Sequence, residues 1–365
     1  MAVGLKEIAS DLNLGLSTVA QALGGRGTIS PRTRRLVVEH AAKLGYTPNR
    51  LAQRMRQDRT GVIGLIVPDV VLSPYVEVVQ HLFQMVEAKG LELQIALTEF
   101  YSSMEDRAFK SMLSSRVDGV IAKVGFHRWE DVPGDHYLRR ARDMGVPVVL
   151  YSNPIAGSGL PHLIHPMFES VKLVVRHLVG LGHRRIAAMV PAVKPFGGAM
   201  QGWLTAIREE LTRIAPDVRL QIVGLPMGTG DEEGPRGVFK EYVNQNHPQH
   251  AIPAGRYLYR QAMSVAEPPT ALIAYADPVA IGAIFQAQAE GLKIGRDVAI
   301  AGCAQLATSH FCPISLTSVD RRPRVYAEKL LGMLCAHIDP KTRPGAPGTD
   351  EVEPLLVIGE STVGG

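Results

Sequence analysis

The chain has 365 residues, 46% of them hydrophobic and 20% charged, a balance that fits a globular protein with a sizeable core. It holds no run of about 18 uncharged apolar residues, which excludes a transmembrane helix, and no basic segment leading into an apolar stretch, so no secretory signal is expected. The net charge of +4 hides an asymmetry: residues 1–60 carry ten lysines and arginines against four acids, so the remainder is slightly acidic. Charge gathered in this way points to a head that binds a polyanion, carried on a neutral body.

Within the head, Leu5, Ile8, Ala9 and Leu12 repeat at i, i+3, i+4, i+7 and predict a helix over about 5–12. The turn Asn13-Leu14-Gly15 follows. Leu16, Val19 and Leu23 predict a second helix over about 16–23, with Gly15 as its N-cap and Gly24-Gly25 as its stop. Ser30 as N-cap and Pro31 at the first helical position open a third helix, whose face is Val37, Ala41 and Leu44 with Leu36 added. Gly45 closes it. Two short helices joined by a tight turn and braced by a third are the helix-turn-helix arrangement.

In that arrangement the second helix enters the major groove. Its outward residues, Leu16, Ser17, Thr18 and Gln21, are the candidates for reading bases, since glutamine pairs adenine bidentately and the hydroxyls serve either base type. Thr28, Ser30, Thr33, Arg34, Tyr46 and Asn49 are the candidates for phosphate contacts. After Pro48, a short helix over about 50–56 aligns Arg50 with Arg54 and Leu51 with Met55. Seven residues are marginal as a helix in water, and the arginines repel, so this segment is expected to fold on DNA. Arg50, Ala52, Gln53, Met55 and Arg56 are its candidate contacts, with Met55 as a wedge into the minor groove.

The stretches LKEIASDLNLGLSTVAQAL and ISPRTRRLVVEHAAKLGYTPNRLAQRMR resemble the lactose-repressor (LacI/GalR) family of bacterial transcription regulators, motif for motif and without gaps. The resemblance implies a DNA-binding head over 1–47, a hinge over 48–60 and an effector-binding, dimerising body over 61–365. Departures are Gly15 for the family's serine, Val19-Ala20-Gln21 for its Val-Ser-Arg, and Met55 for its minor-groove leucine. The first two are expected to change which operator is read.

From residue 61, apolar runs of strand length recur at 61–69, 91–100, 117–124 and 146–152, with helical segments between them at about 75–89, 104–115 and 135–144. A second series stands at 184–192, 218–226, 269–277 and 297–305. This rhythm predicts two doubly wound α/β lobes with parallel sheets and a cleft between them. The landmarks RVDGVI, LVGLGHRRIA, PTALIAYAD, GLKIGRDVAIAG and LLVIGEST carry the resemblance to the C-terminus, implying a body like periplasmic sugar-binding proteins. The first lobe is then expected at about 61–161 and 321–340, and the second at about 162–318 and 355–363, with 339–354 an exposed linker.

The cleft departs from the family. Ala199 replaces an arginine, Ala276-Asp277 replaces Asn-Asp, Gly302-Cys303-Ala304-Gln305 replaces Gly-aromatic-Asp-Asp, and Leu163-Ile164-His165-Pro166 lacks the usual entry aspartate. Each sugar hydroxyl left unpaired would cost about 1–3 kcal/mol, so a standard hexose is not expected as effector. The candidate cleft residues are Ser73, Tyr75, Tyr151, Phe196, Tyr275, Asp277 and Gln305, the aromatics serving equally well as core.

Cys303, Cys312 and Cys335 form no CxxC and fit free thiols in a reducing cytoplasm. His162 and His165 are bracketed by prolines, so no metal site is expected; no nucleotide, hydrolase or metalloprotease motif occurs, and neither a cofactor nor enzyme chemistry is expected. Read together, these features predict a cytoplasmic, sequence-specific transcription regulator, a repressor or less often an activator. Its partners would be double-stranded operator DNA, a small-molecule effector and a second copy of itself. An architectural DNA binder with a degenerate cleft is the alternative, and a free solute-binding protein a weaker one.

Overall fold

The computed structural model describes residues 4–24, 29–46, 59–70, 75–99, 101–152, 154–165, 167–190, 198–224, 248–304, 309, 312–339, 341–342 and 348–364. They fall into two units, one running to Gly61 and including Arg116–Asp118, the other holding the rest.

The first unit contains α1 (Leu5–Asp11), α2 (Leu16–Leu23) and α3 (Pro31–Lys43). Ile8, Ala9, Val19, Ala22, Val37 and Ala41 form its core, with Leu5, Leu12, Leu14, Leu23, Leu44 and Tyr46 packed around them. The helix ends follow from local chemistry. Asn13 takes φ +51°, and the Leu14 amide donates to the Ala9 carbonyl, which turns the chain out of α1. Ser30 Oγ accepts the Thr33 amide at the start of α3, and Gly45 at φ +66° ends it, the Tyr46 amide donating to the Ala41 carbonyl. Leu36 was expected on the packed face. It is instead half exposed, because Val37 and Ala41 at i, i+4 define that face and Leu36 sits about 100° away from Val37.

In the second unit the first lobe is a six-stranded sheet. In chain order its strands are β1 (Val62–Val67), β2 (Glu92–Leu97), β3 (Gly119–Ala122), β4 (Val148–Ser152), β5 (His162–Ile164) and β11 (Thr349–Glu351). They lie in the order β11-β5-β4-β3-β1-β2, all parallel. Helix α4 (Tyr75–Ala88) and helix α11 (Pro323–Ile338) cover one face, meeting Ile63, Leu65 and Val67. Gly64, between them, turns to the other face and leaves room for Met112 of α5 (Ser102–Ser114). α6 (Tyr137–Asp143) packs beside α5.

The second lobe has strands β6 (Arg185–Val190), β7 (Arg219–Gly224), β8 (Ala271–Ala274) and β9 (Ala299–Ala301), in the order β7-β6-β8-β9. Period-two alternation sorts its side chains. Ala187, Met189, Leu272, Ala274 and Ile300 face α9 (Pro248–Met263) and α10 (Asp277–Ala289). Ile186, Ala188, Val190, Ile273 and Ala301 face α7 (Met167–Gly180) and α8 (Gly198–Ile214). The antiparallel pair β10 (Ser318–Asp320) and β12 (Leu355–Val357) adds Val319 and Leu356 to this second core.

Three expected boundaries move. Residues 162–164, expected at the crossing into the second lobe, form β5 and still pair with β4 of the first. Residues 349–351, expected within an exposed linker, form β11 against β5, and Val352 is buried in the first core. The final strand ends at Val357, and Glu360–Val363 forms a short helix, α12, with Ser361 and Thr362 buried. The reason is common to the first two. Each of these strands is three residues long and buries at most one of its side chains, too few to leave an apolar run in the sequence.

Candidate nucleic-acid interface and ligand cleft

On α2, Val19 and Ala22 turn inward, and Leu16, Ser17 and Gln21 are exposed, with Thr18 half-buried beside them. These four expected base-reading residues therefore share one outward surface. Among the described residues none is hydrogen-bonded to the side chains of Ser17, Thr18 or Gln21, whose hydroxyls and amide suit a partner of matching donors and acceptors.

Ser30 and Thr33 stand together at the start of α3. Their hydroxyls lie 2.8 Å apart, and Ser30 Oγ also accepts the Thr33 amide. The helix N-terminus beneath them carries partial positive charge, with Arg32 and Arg35 exposed and Arg34 half-buried nearby. His40 of α3 reaches Asp11 of α1 at 3.0 Å and ties the bracing helix to the first. Tyr46 packs against the head core. Thr28, Asn49 and the residues of the expected hinge helix, Arg50, Ala52, Gln53, Met55 and Arg56, lie outside the described residues.

Open α/β sheets bind ligands beyond the carboxyl ends of their strands. Tyr75, at the start of α4 in the first lobe, lies within the electrostatic reach of Tyr275, after β8 in the second. Burial pushes the Tyr75 phenol pKa up, and Tyr275 and Asp69 push it further. Tyr75 stands edge-on to Tyr151 with ring centroids 5.2 Å apart, and Tyr151 in turn meets Tyr326 at 4.9 Å. Tyr275 stands edge-on to the fully buried Trp203 at 5.4 Å. Tyr75 and Tyr275 are thus partly buried rings, each braced by a buried aromatic.

Two expected cleft residues prove to be framework. Tyr151 is 2% exposed and lies beneath Tyr75. Asp277 is fully buried. Its Oδ1 accepts from the Ala304 amide (3.0 Å) and Ser318 Oγ (2.8 Å), and its Oδ2 accepts from Ser309 Oγ (2.6 Å). The carboxylate is consumed in joining the end of β8 to the loop after β9 and to the crossing strand β10. Ser73, Phe196 and Gln305 lie outside the described residues.

Three residues that sequence reasoning did not single out stand just past strand ends, and two of them act electrostatically on the third, His165. Lys123 follows β3, His165 follows β5, and Arg321 follows β10. Burial lowers the Lys123 ammonium to about 8, partly offset by Glu105. Burial holds His165 well below its ordinary value, helped by the positive charges of Arg321 and Lys123. Arg321 Nη2 donates to the Cys303 carbonyl at 2.7 Å. Burial raises the Cys303 thiol to about 12, so it is an un-ionised floor residue. The available signal was positional: each of the three stands one residue past a strand that ends at the cleft. Among the described residues no cluster of histidines, cysteines and acids has the makings of a metal site, and no helix is long and apolar enough to cross a membrane.

Residues 60–255 match the family model described as periplasmic binding proteins and sugar binding domain of LacI family, and residues 175–362 match that of the periplasmic binding protein-like domain. Among characterised proteins, the chain is similar to catabolite control protein A of Priestia megaterium, 24% identical over 87% of each chain. It is likewise similar to the transcriptional repressor PurR of Yersinia pestis, 25% identical over 99% of this chain and 97% of that one. Among solved structures it superposes on the lac repressor dimer bound to operator and the anti-inducer ONPF, with a TM-score of 0.79 at 20% identity over the whole of both chains. The complex of the transcriptional regulator CelR with cellobiose matches with a TM-score of 0.62 at 22% identity, covering 98% of this chain and 99% of that one.

Proposed function

For a chain that belongs to the LacI/GalR family of DNA-binding transcription regulators, we propose operator binding as a homodimer, with affinity set by a small molecule held between the lobes. The observation that carries the DNA half of this reading is the two-sided character of α2. Val19 and Ala22 are spent on the core, and Ser17, Thr18 and Gln21 stand outward on a head with a strong positive excess. Two such heads would read two half-sites of a pseudo-palindrome, with the N-terminus of α3 and its arginines on the phosphates. The similarity to a lac repressor dimer bound to operator supports the dimer and the DNA partner.

Ligand control follows from the position of the cleft. A molecule that touches Tyr75 in one lobe and Tyr275 in the other favours one angle between the lobes. It then shifts the equilibrium toward whichever arrangement of the two heads that angle permits, by as much as its affinities for the two states differ. Asp277 is consumed internally, which supports a ligand other than a simple hexose.

Selection of bound sequences from a random DNA pool with the full chain tests the proposal. The expected result is a two-fold symmetric consensus, bound with a steep salt dependence. Equal affinity for all AT-rich DNA would instead establish an architectural binder and overturn the regulator reading.

A further inference from the structure

The last two residues before β1 are held by a carboxylate that stands just before β3. Asp118 Oδ1 accepts the Thr60 amide at 2.6 Å, and Oδ2 accepts the Gly61 amide at 2.8 Å. The single proton of the Thr60 hydroxyl is shared between Asp118 Oδ1 at 3.0 Å and the Arg116 carbonyl at 2.8 Å. Hydrogen bonds to an ionised acceptor are about twice as strong as neutral ones, so the carboxylate is a firm clasp. Both segments turn at it, Gly61 with φ +67° and Arg116 with φ +52°.

From this clasp β1 and β3 run as neighbours in the sheet, paired from Ile63 with Gly119 to Ile66 with Ala122. Ile63, Leu65, Ile66 and Val67 of the one and Val120, Ile121 and Ala122 of the other are buried. Interiors packed in this way transmit displacement instead of absorbing it, so the two strands move as one body. Their carboxyl ends lie on the side where open α/β sheets bind ligands, and their amino ends carry the clasp. A rearrangement of the first lobe therefore takes Asp118 with it, and Asp118 takes Thr60 and Gly61.

We infer that Asp118 is a positioning residue for operator binding: its carboxylate fixes where, and in which direction, the segment from the DNA-binding head joins the body. That role rests on the regulator reading and deepens it, naming the link through which a lobe acts on a head. Magnitude separates it from a plain tether. Lengthening a flexible linker from about twelve to about fourteen residues lowers the affinity of a two-headed complex by less than about twofold. An anchor that sets the orientation of both heads loses far more when it is released, because linked binding gains its 10²–10⁴-fold advantage only where geometry lets both heads engage at once.

The test is the affinity of the full chain for three DNAs: the selected operator, random sequence, and the operator with one base pair inserted between its half-sites. The added pair turns one half-site by about 35° against the other and moves it about 3.4 Å. Asp118→Ala should weaken operator binding by about tenfold or more. Affinity for random DNA should stay within about twofold, since the phosphate contacts of the head are unchanged. The variant should also narrow the gap between the two operators, which a general loss of stability would not do. Asp118→Asn keeps an acceptor for Thr60 and should recover part of the affinity. Thr60→Val removes only the hydroxyl and should have the smallest effect. Urea unfolding checks the fold of each variant, and if Asp118→Ala does not fold, the other two carry the same comparison.

Operator affinity within about twofold of wild type in folded Asp118 variants, an equal loss on operator and random DNA, or an unchanged gap between the two operators would each overturn the role of Asp118. The underlying reading fails in a different way. A wild-type chain that selects no two-fold consensus overturns the regulator reading and this role with it. A clear consensus bound equally well by the variants leaves the regulator standing and removes Asp118 alone.

Discussion

Asp277 Oδ1 lies 2.8 Å from Ser318 Oγ, a hydrogen bond across 41 residues that ties the end of β8 to the strand crossing between the lobes. The same carboxylate holds the Ala304 amide and Ser309 Oγ. Asp277→Ala would remove the acceptor of two serine hydroxyls and leave the Ala304 amide only Ser318 Oγ, 3.1 Å away. We expect it to destabilise the body by about 3 kcal/mol or more, measured by urea unfolding. Asp277→Asn keeps acceptor capacity on one atom and should cost less. A mutant with normal stability and altered ligand affinity would return Asp277 to the ligand wall.

Glu210 supplies a pH dependence. Hydrogen bonds from Arg213 and Arg176 lower its pKa to about 2, against a small opposing effect of burial. A depressed carboxylate pKa stabilises the fold fully above the unfolded value of about 4.3, and the contribution is lost as pH falls through about 2. Urea midpoints should therefore decline between about pH 4.5 and pH 2 more steeply in the wild type than in Glu210→Gln. Parallel acid limbs for the two proteins would contradict this.

Gly255 and Gly282 let α9 and α10 cross with backbones in contact. A Cβ on Gly255 would lie 2.1 Å from the Val279 carbonyl oxygen, and one on Gly282 equally close to that of Ile252. Backbone cannot swing aside as a side-chain end can. Either alanine substitution should cost about 1–3 kcal/mol or more and lower the melting temperature. Neither should be rescued by a larger residue.

Gln21 is exposed, so its replacement should leave stability alone. Gln21→Ala is expected to weaken binding to the selected operator by about tenfold, in keeping with about 1–3 kcal/mol for a bidentate base contact. The salt dependence should hardly change, because no phosphate contact is lost. A uniform loss on all DNA sequences would place Gln21 on the backbone instead.

The head was legible almost to the residue. The second helix spans 16–23 as its apolar spacing predicts, and Ser30, Pro31 and Gly45 take their expected places at the ends of α3. Capping and i, i+4 burial act over a single turn, so the information lies within a few neighbouring residues. Strands β1, β3, β4, β6 and β8 were legible for a similar reason, since a strand buried on both faces leaves a continuous apolar run.

By itself, then, the sequence determined the helix-turn-helix head, its outward Ser17, Thr18 and Gln21, the excess of positive charge that surrounds them, and the rhythm of two parallel sheets. Tertiary structure alone decided three things. It joined β5 and β11 to the first sheet, although each is only three residues long. It spent Asp277 on a framework that closes between segments 27 to 41 residues apart. It also set Arg321 against the Cys303 carbonyl, 18 residues away along the chain. Such meetings depend on where strands end in the assembled sheets. No local period records that, because the groups are strangers along the chain and neighbours only once both lobes have formed.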